Sequence, residues 1–190
     1  MKTLLITFLL AFSSFAFAHE QIDRILAVYP DTTKFIVADK ELGTIYVVDP
    51  ITKAITEAPA LYGKMPIDKI NMGYYDRKDG GNPYITPAGM FTVTKMYSTE
   101  LKRHLLVFFE GSFMVMAIHA VYTGNPVQMR PQRLMSNDPA MKKITNGCIN
   151  VPGDFFSDEL FTLSNGTRLY ILPETSAAKI EWAKIFPPVN

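Results

Sequence analysis

The chain has 190 residues, 48% hydrophobic and 19% charged, which suits one domain with a substantial core and excludes a wholly disordered chain. With 19 Lys+Arg against 18 Asp+Glu the net charge is +1, without the basic excess of a general nucleic-acid binder. One cysteine and three histidines exclude an internal disulfide and argue against a structural zinc site.

Lys2, the mostly apolar stretch Leu4 to Phe17 and the triplet Ala16-Phe17-Ala18 have the order of a secretory leader over residues 1–18. That stretch is shorter than the ~20 apolar residues of a membrane-spanning helix, and no later segment is long enough. The expected product is one exported, periplasmic domain, residues 19–190, cut near Ala18. Export sharpens the reading of Cys148. An unpaired cysteine in an oxidising compartment is either an inert buried filler or a thiol kept for its chemistry.

Strand signals dominate the next hundred residues. Phe35 to Ala38 and Thr44 to Val48 are β-branched and aromatic runs joined by Asp39 to Gly43, a hairpin connection. A third strand is expected over Ala54 to Tyr62, ended by Gly63. Asp76 to Pro83 is turn chemistry, with Tyr74 and Tyr75 before it as groove-lining or core residues. Further strands are expected over Gly89 to Met96, Leu105 to Glu110 and Phe113 to Ile118, the last two joined by a hairpin at Glu110-Gly111-Ser112.

From Val121 to Thr145 the pattern fails. Pro126, Pro131 and Pro139 point to a long excursion with at most a short helix, and its Arg130, Arg133, Lys142 and Lys143 are either substrate-carboxylate ligands or solvated surface. Asp154 is expected to cap a helix whose buried face holds Phe155, Phe156 and Leu160. Asn165-Gly166 turns into a closing strand, Thr167 to Leu172. Thr175 or Ser176 caps a final helix through Phe186. The expected architecture is mainly β, a sandwich or barrel with one or two short helices near the C-terminus.

Two residues carry chemical potential. His119 ends an apolar strand, where a general base would be held rigidly. Cys148 follows Gly147 at the exit of the long loop. A free thiol is only a few per cent thiolate at neutral pH, so an imidazole that takes its proton would yield a reactive thiolate–imidazolium pair. The amides of Gly147 and Cys148 are candidates to converge on an oxyanion.

Four segments resemble the catalytic domain of the L,D-transpeptidase (YkuD-like) family. Thr86-Pro87-Ala88-Gly89-Met90-Phe91 is similar to its T-P-x-G-x-F segment, and Ile118-His119 to its I-H-G stretch. Thr145-Asn146-Gly147-Cys148-Ile149-Asn150 resembles its cysteine signature, and Gly166 to Ile171 its final G-T-x-V-x-I strand. They occur in family order over about residues 44–172.

The resemblance implies a β-sandwich cysteine acyltransferase of the cell wall that uses no metal and no cofactor. Cys148 would attack the diaminopimelate–D-Ala carbonyl of a peptidoglycan stem tetrapeptide, with His119 as proton shuttle. The thioester would pass to an amine: a neighbouring diaminopimelate, a lipoprotein lysine or a free D-amino acid. Hydrolysis on the same scaffold, as an L,D-carboxypeptidase or a cleaver of lipoprotein–wall crosslinks, is the alternative. A non-catalytic wall-binding homologue is the third reading.

In this scheme Ala120 orients the imidazole through its carbonyl. Gly147, Asn146 and Asn150 belong to the oxyanion or orienting set, and Thr145, Arg130 and Arg133 to substrate binding. Three departures from the pattern stand out. Asn146 replaces the usual histidine, Ala120 replaces a glycine or small polar residue, and the interval from His119 to Cys148 is long.

Overall fold

The computed structural model describes residues 18–30, 33–68, 84–111 and 114–189. The leader up to Phe17, the turn segment 76–83 with Tyr74 and Tyr75, and Ser112 of the expected hairpin lie outside them.

The described chain opens with helix α1 (residues 18–28). Strands β1 (Phe35–Asp39) and β2 (Thr44–Val48) pair antiparallel, and the connection is closed by Asp39 Oδ1, which accepts the Leu42 amide at 2.9 Å. The single strand expected to follow is two, β3 (Ile55–Pro59) and β4 (Tyr62–Gly63). The break lies where the Ala60 amide turns to the Gly43 carbonyl and Leu61 bridges to Asn150.

The expected strand from Gly89 also divides, into β5 (Gly89–Thr92) and β6 (Thr94–Ser98). Between them the Val93 amide donates to Thr167 and its carbonyl accepts from Gly166, so the 165–167 turn takes the hydrogen bonds that would have continued one ladder. The two halves join different sheets. Strands β7 (Arg103–Gly111) and β8 (Met114–Ala120) pair antiparallel.

The 121–145 excursion is more ordered than its composition suggests. It holds 3-10 turns at Pro126–Gln128 and Pro139–Lys142, helix α2 (Arg130–Leu134) and strand β9 (Lys143–Thr145). Each of the three prolines stands in the first turn of a helical piece, where a fixed φ and a missing N–H cost nothing. The residues read as breakers are starts.

After β10 (Ile149–Val151), helix α3 (Gly153–Phe155) runs straight into a π turn, Phe156–Leu160. Pro152, not Asp154, is the N-cap residue; Asp154 lies two residues on, in the first turn, and accepts the Phe155 amide at 2.8 Å. Phe155, Phe156 and Leu160 are buried as the periodicity requires. Strand β11 (Arg168–Leu172) precedes α4 (Ser176–Ile185), which is capped by Thr175.

Among the described residues the strands form three open sheets, with orders β3-β2-β1-β11-β5, β10-β8-β7-β6 and β4-β9. A sandwich forms, therefore, and not a barrel. Strand β11 is not at an edge: it lies between β1 and β5, parallel to β1. Its alternate residues serve both faces. Leu169 and Ile171 meet Ile36, Ala38, Leu106 and Ile118 in the core between the large sheets. Tyr170 and Leu172 meet Ile22, Ile25, Trp182 and Phe186 beneath α1 and α4. No described helix is long and apolar enough to cross a membrane.

Candidate active site

Strand alternation places the histidine. Met116 and Ile118 of β8 are in the sandwich core, so Ala117 and His119 take the opposite face, where Leu105, Val107 and Ala117 form a small cluster of their own. Strand β10 runs parallel to β8 and sets Asn150 beside His119 in register. Cys148 immediately precedes β10, so the parallel pairing of two short strands brings residues 119 and 148–150 together despite the long insertion between them.

The turn before the cysteine is tightly specified. Thr145 Oγ1 donates to the Cys148 carbonyl at 2.6 Å and accepts the Gly147 amide at 3.2 Å. Gly147 has φ +115°, and a Cβ there would lie 2.6 Å from the Ile85 carbonyl oxygen. Only glycine fits both conditions. Thr145 is buried, with its hydroxyl engaged at both ends of the turn. The Gly147 amide, one of the two expected at an oxyanion, is bonded inside the turn.

A chain of hydrogen bonds fixes the imidazole. His119 Nδ1 lies 2.7 Å from the Ala120 carbonyl oxygen, which can only accept, so Nδ1 carries the proton. Nε2 then has its lone pair free to accept, and at 3.2 Å it faces Asn150 Nδ2. Arg130 Nη1 donates to Asn150 Oδ1 at 2.7 Å and thereby decides which end of the amide faces the ring. In this arrangement Asn150, not the thiol, is hydrogen-bonded to Nε2, and no hydrogen bond joins Sγ to the ring. Asn146 is exposed, outside this chain of bonds.

Arg103 escaped the sequence reading. Its Nη1 donates to the Ala120 carbonyl at 3.1 Å, and its guanidinium lies 5.3 Å from the Tyr122 ring centroid, which Arg130 approaches at 5.7 Å. A signal was present: Arg103 stands two residues before Leu105 and four before Val107, in phase with the outer face of β7.

Other cations of the excursion hold the fold instead. Arg133 donates to the carbonyls of Gln128 and Met141. Lys142 is buried and donates to the Gly43 carbonyl, while Lys143 pairs with Glu174. Of the two arginines of α2, the structure brings Arg130 to Asn150 and turns Arg133 to the carbonyls of Gln128 and Met141.

Burial lowers the His119 pKa to about 4; the bond to Ala120 opposes this, and the charges of Arg103 and Arg130 add to it. Burial pushes the Cys148 thiol up, against the Ala117 backbone amide and the Arg130 charge. At neutral pH the resting pair is thus thiol and neutral imidazole, not the thiolate–imidazolium pair expected from residue types. As a residue Cys148 is half-buried. Among the described residues no cluster of three metal-ligating side chains occurs.

No family model matches the sequence, and no curated protein matches it significantly. Solved structures do. The fold is similar to Bd1075 of Bdellovibrio bacteriovorus at 17% identity and TM-score 0.46, over 81% of this chain and 54% of that one. An L,D-transpeptidase from Stackebrandtia nassauensis matches at 13% identity and TM-score 0.43, over 76% and 57%. The helical cell shape determining protein Pgp2 from Campylobacter jejuni matches at 13% identity and TM-score 0.49, over 80% and 53%. The chain spans a little over half the length of these structures.

Proposed function

We propose that this chain is an exported cysteine acyltransferase that acts on peptidoglycan stem tetrapeptides. The observation that carries the reading is the juxtaposition of β8 and β10. It sets a glycine–cysteine turn beside a histidine whose Nδ1 proton is held by Ala120, which leaves Nε2 to act as base. The cysteine signature and the three accompanying motifs supply the substrate class.

The chemistry follows from the neutral resting pair. As Sγ attacks the diaminopimelate carbonyl, its proton passes to Nε2, which gives up the Asn150 contact. The S–C bond forms and the carbonyl oxygen becomes an oxyanion facing the Cys148 amide. Collapse breaks the C–N bond to D-Ala, and the imidazolium returns its proton to the departing amine. An amine, such as the side chain of a second diaminopimelate or a lipoprotein lysine, then attacks the thioester and regenerates the thiol. Because the thioester retains acyl energy, the exchange needs no nucleotide. Arg130, half-buried beside Cys148, stabilises negative charge on sulfur during attack. The leader is removed near Ala18 in this scheme.

Two observations favour a second reading. Asn150 holds Nε2, and Asn146 stands where the signature has histidine, which suits a wall-binding homologue without activity. A carbapenem separates the two, because members of the family this chain resembles are acylated by these drugs at the cysteine. Purified protein incubated with imipenem should gain one covalent adduct by intact-protein mass spectrometry, and Cys148→Ala should gain none. An unmodified wild-type mass would decide for the non-catalytic reading. Incubation with tetrapeptide-rich muropeptides then identifies the acceptor: crosslinked dimers for an amine, tripeptide alone for water.

A further inference from the structure

Thr86, in the T-P-x-G segment, lies far from Cys148 in the chain but touches the turn that carries it. The residue is 1% exposed. Its Oγ1 accepts the Gly63 amide at 2.9 Å and donates to the Gly147 carbonyl at 2.9 Å, so both roles of the hydroxyl are used. Its own carbonyl accepts from Lys40 Nζ at 2.9 Å, and Lys40 in turn is ion-paired with Asp68 at 2.5 Å. Behind the threonine, the Ile85 carbonyl occupies the space that a side chain at Gly147 would need.

The bond to the Gly147 carbonyl has a consequence at the next atom. That carbonyl and the Cys148 N–H belong to one planar trans peptide unit and point in opposite directions. Whatever fixes the oxygen aims the amide. Thr145 constrains the peptide units on either side, through the Gly147 amide and the Cys148 carbonyl, but leaves this one to Thr86.

We propose that Thr86 is a positioning residue that aims the Cys148 amide at the developing oxyanion, with Lys40 holding the threonine from behind. The inference rests on the reading of Cys148 as the nucleophile. Thr86→Val preserves shape and removes the hydroxyl, whereas Thr86→Ser keeps it. The proposal predicts that Thr86→Val slows imipenem acylation on the order of 10²-fold, the loss typical of one oxyanion donor. Thr86→Ser should stay within about threefold of wild type, because its hydroxyl can still make both bonds.

Alkylation of Cys148 by iodoacetamide forms no oxyanion, so Thr86→Val should change that rate by less than about twofold. A parallel fall in alkylation and acylation would overturn the proposal in favour of general damage to the fold, as would equal acylation by the Val variant and wild type. Should the wild type form no adduct, the acyltransferase reading fails separately. Amide hydrogen exchange then decides the anchor. Faster exchange at Cys148 in Thr86→Val than in wild type and Thr86→Ser supports it, and unchanged exchange sinks it.

Discussion

Two buried polar clusters of this protein, one behind the cysteine turn and one in front of it, treat ionisable groups in opposite ways. Behind it, Lys40 is 2% exposed and ion-paired with Asp68 and Glu174, the latter also paired with Lys143. Burial there pushes the Asp68 carboxyl up, but the bonds from Lys40 and Thr175 outweigh it and hold the group below the usual carboxylate range. In front, His119 is 5% exposed and has two guanidiniums nearby, so the same desolvation neutralises it. Desolvation pushes both groups towards neutrality, and only the Asp68 carboxylate has opposite-charge bonds that outweigh it. The rear cluster holds its charges in pairs, and the front one keeps an imidazole and a thiol uncharged.

The contrast is most severely broken at Lys40. Lys40→Met leaves Asp68 and Glu174 buried without their shared cation, and removal of one partner from a buried pair costs about 3–5 kcal/mol. Urea denaturation should show that loss.

At the front, His119→Ala should leave stability largely intact and slow imipenem acylation by ~10²–10⁴-fold, the range for a proton-transfer residue. Asn146→Ala, at an exposed position, should slow it far less. Equal losses in single-turnover assays would mean that the base is misassigned. With a ring pKa of about 4, the acid limb of the wild-type profile should fall near pH 4 rather than 6.5.

Asp39 sharpens the comparison with the smallest effect. It is adjacent to Lys40, yet its carboxyl is raised to about 6 by burial, and its Oδ2 has no hydrogen-bond partner among the described residues. Its folded pKa lies above the model-peptide value of 3.8, so its contribution is fully present below about pH 4 and is lost as pH rises through 6. His119 has the opposite sign. Its folded pKa lies below 6.5, so stability is lost as pH falls from 6.5 towards 4. Asp39→Asn should therefore stabilise the protein above pH 6, by up to about 2–3 kcal/mol, and make no difference near pH 4. Thermal unfolding of both proteins across pH 4 to 8 measures it.

Periodicity and residue type were enough to locate β1, β2, β7, β8 and α4, to narrow its cap to Thr175 or Ser176, and to mark the cysteine and histidine as the residues worth testing. These are local properties: alternation, branching, capping and a solitary thiol are written in neighbouring residues. Where the strands from Ala54 and Gly89 break was not legible, because distant partners decided it, Gly43 and Asn150 in one case and the 165–167 turn in the other. The same holds for the site. Nothing near Thr145 in the chain announces that its hydroxyl closes the turn, nor near Thr86 that it holds the Gly147 carbonyl. The charge state of His119 also waited on the fold. The imidazole pKa falls from 6.5 to about 4 only when tertiary packing removes water and sets Arg103 and Arg130 beside it.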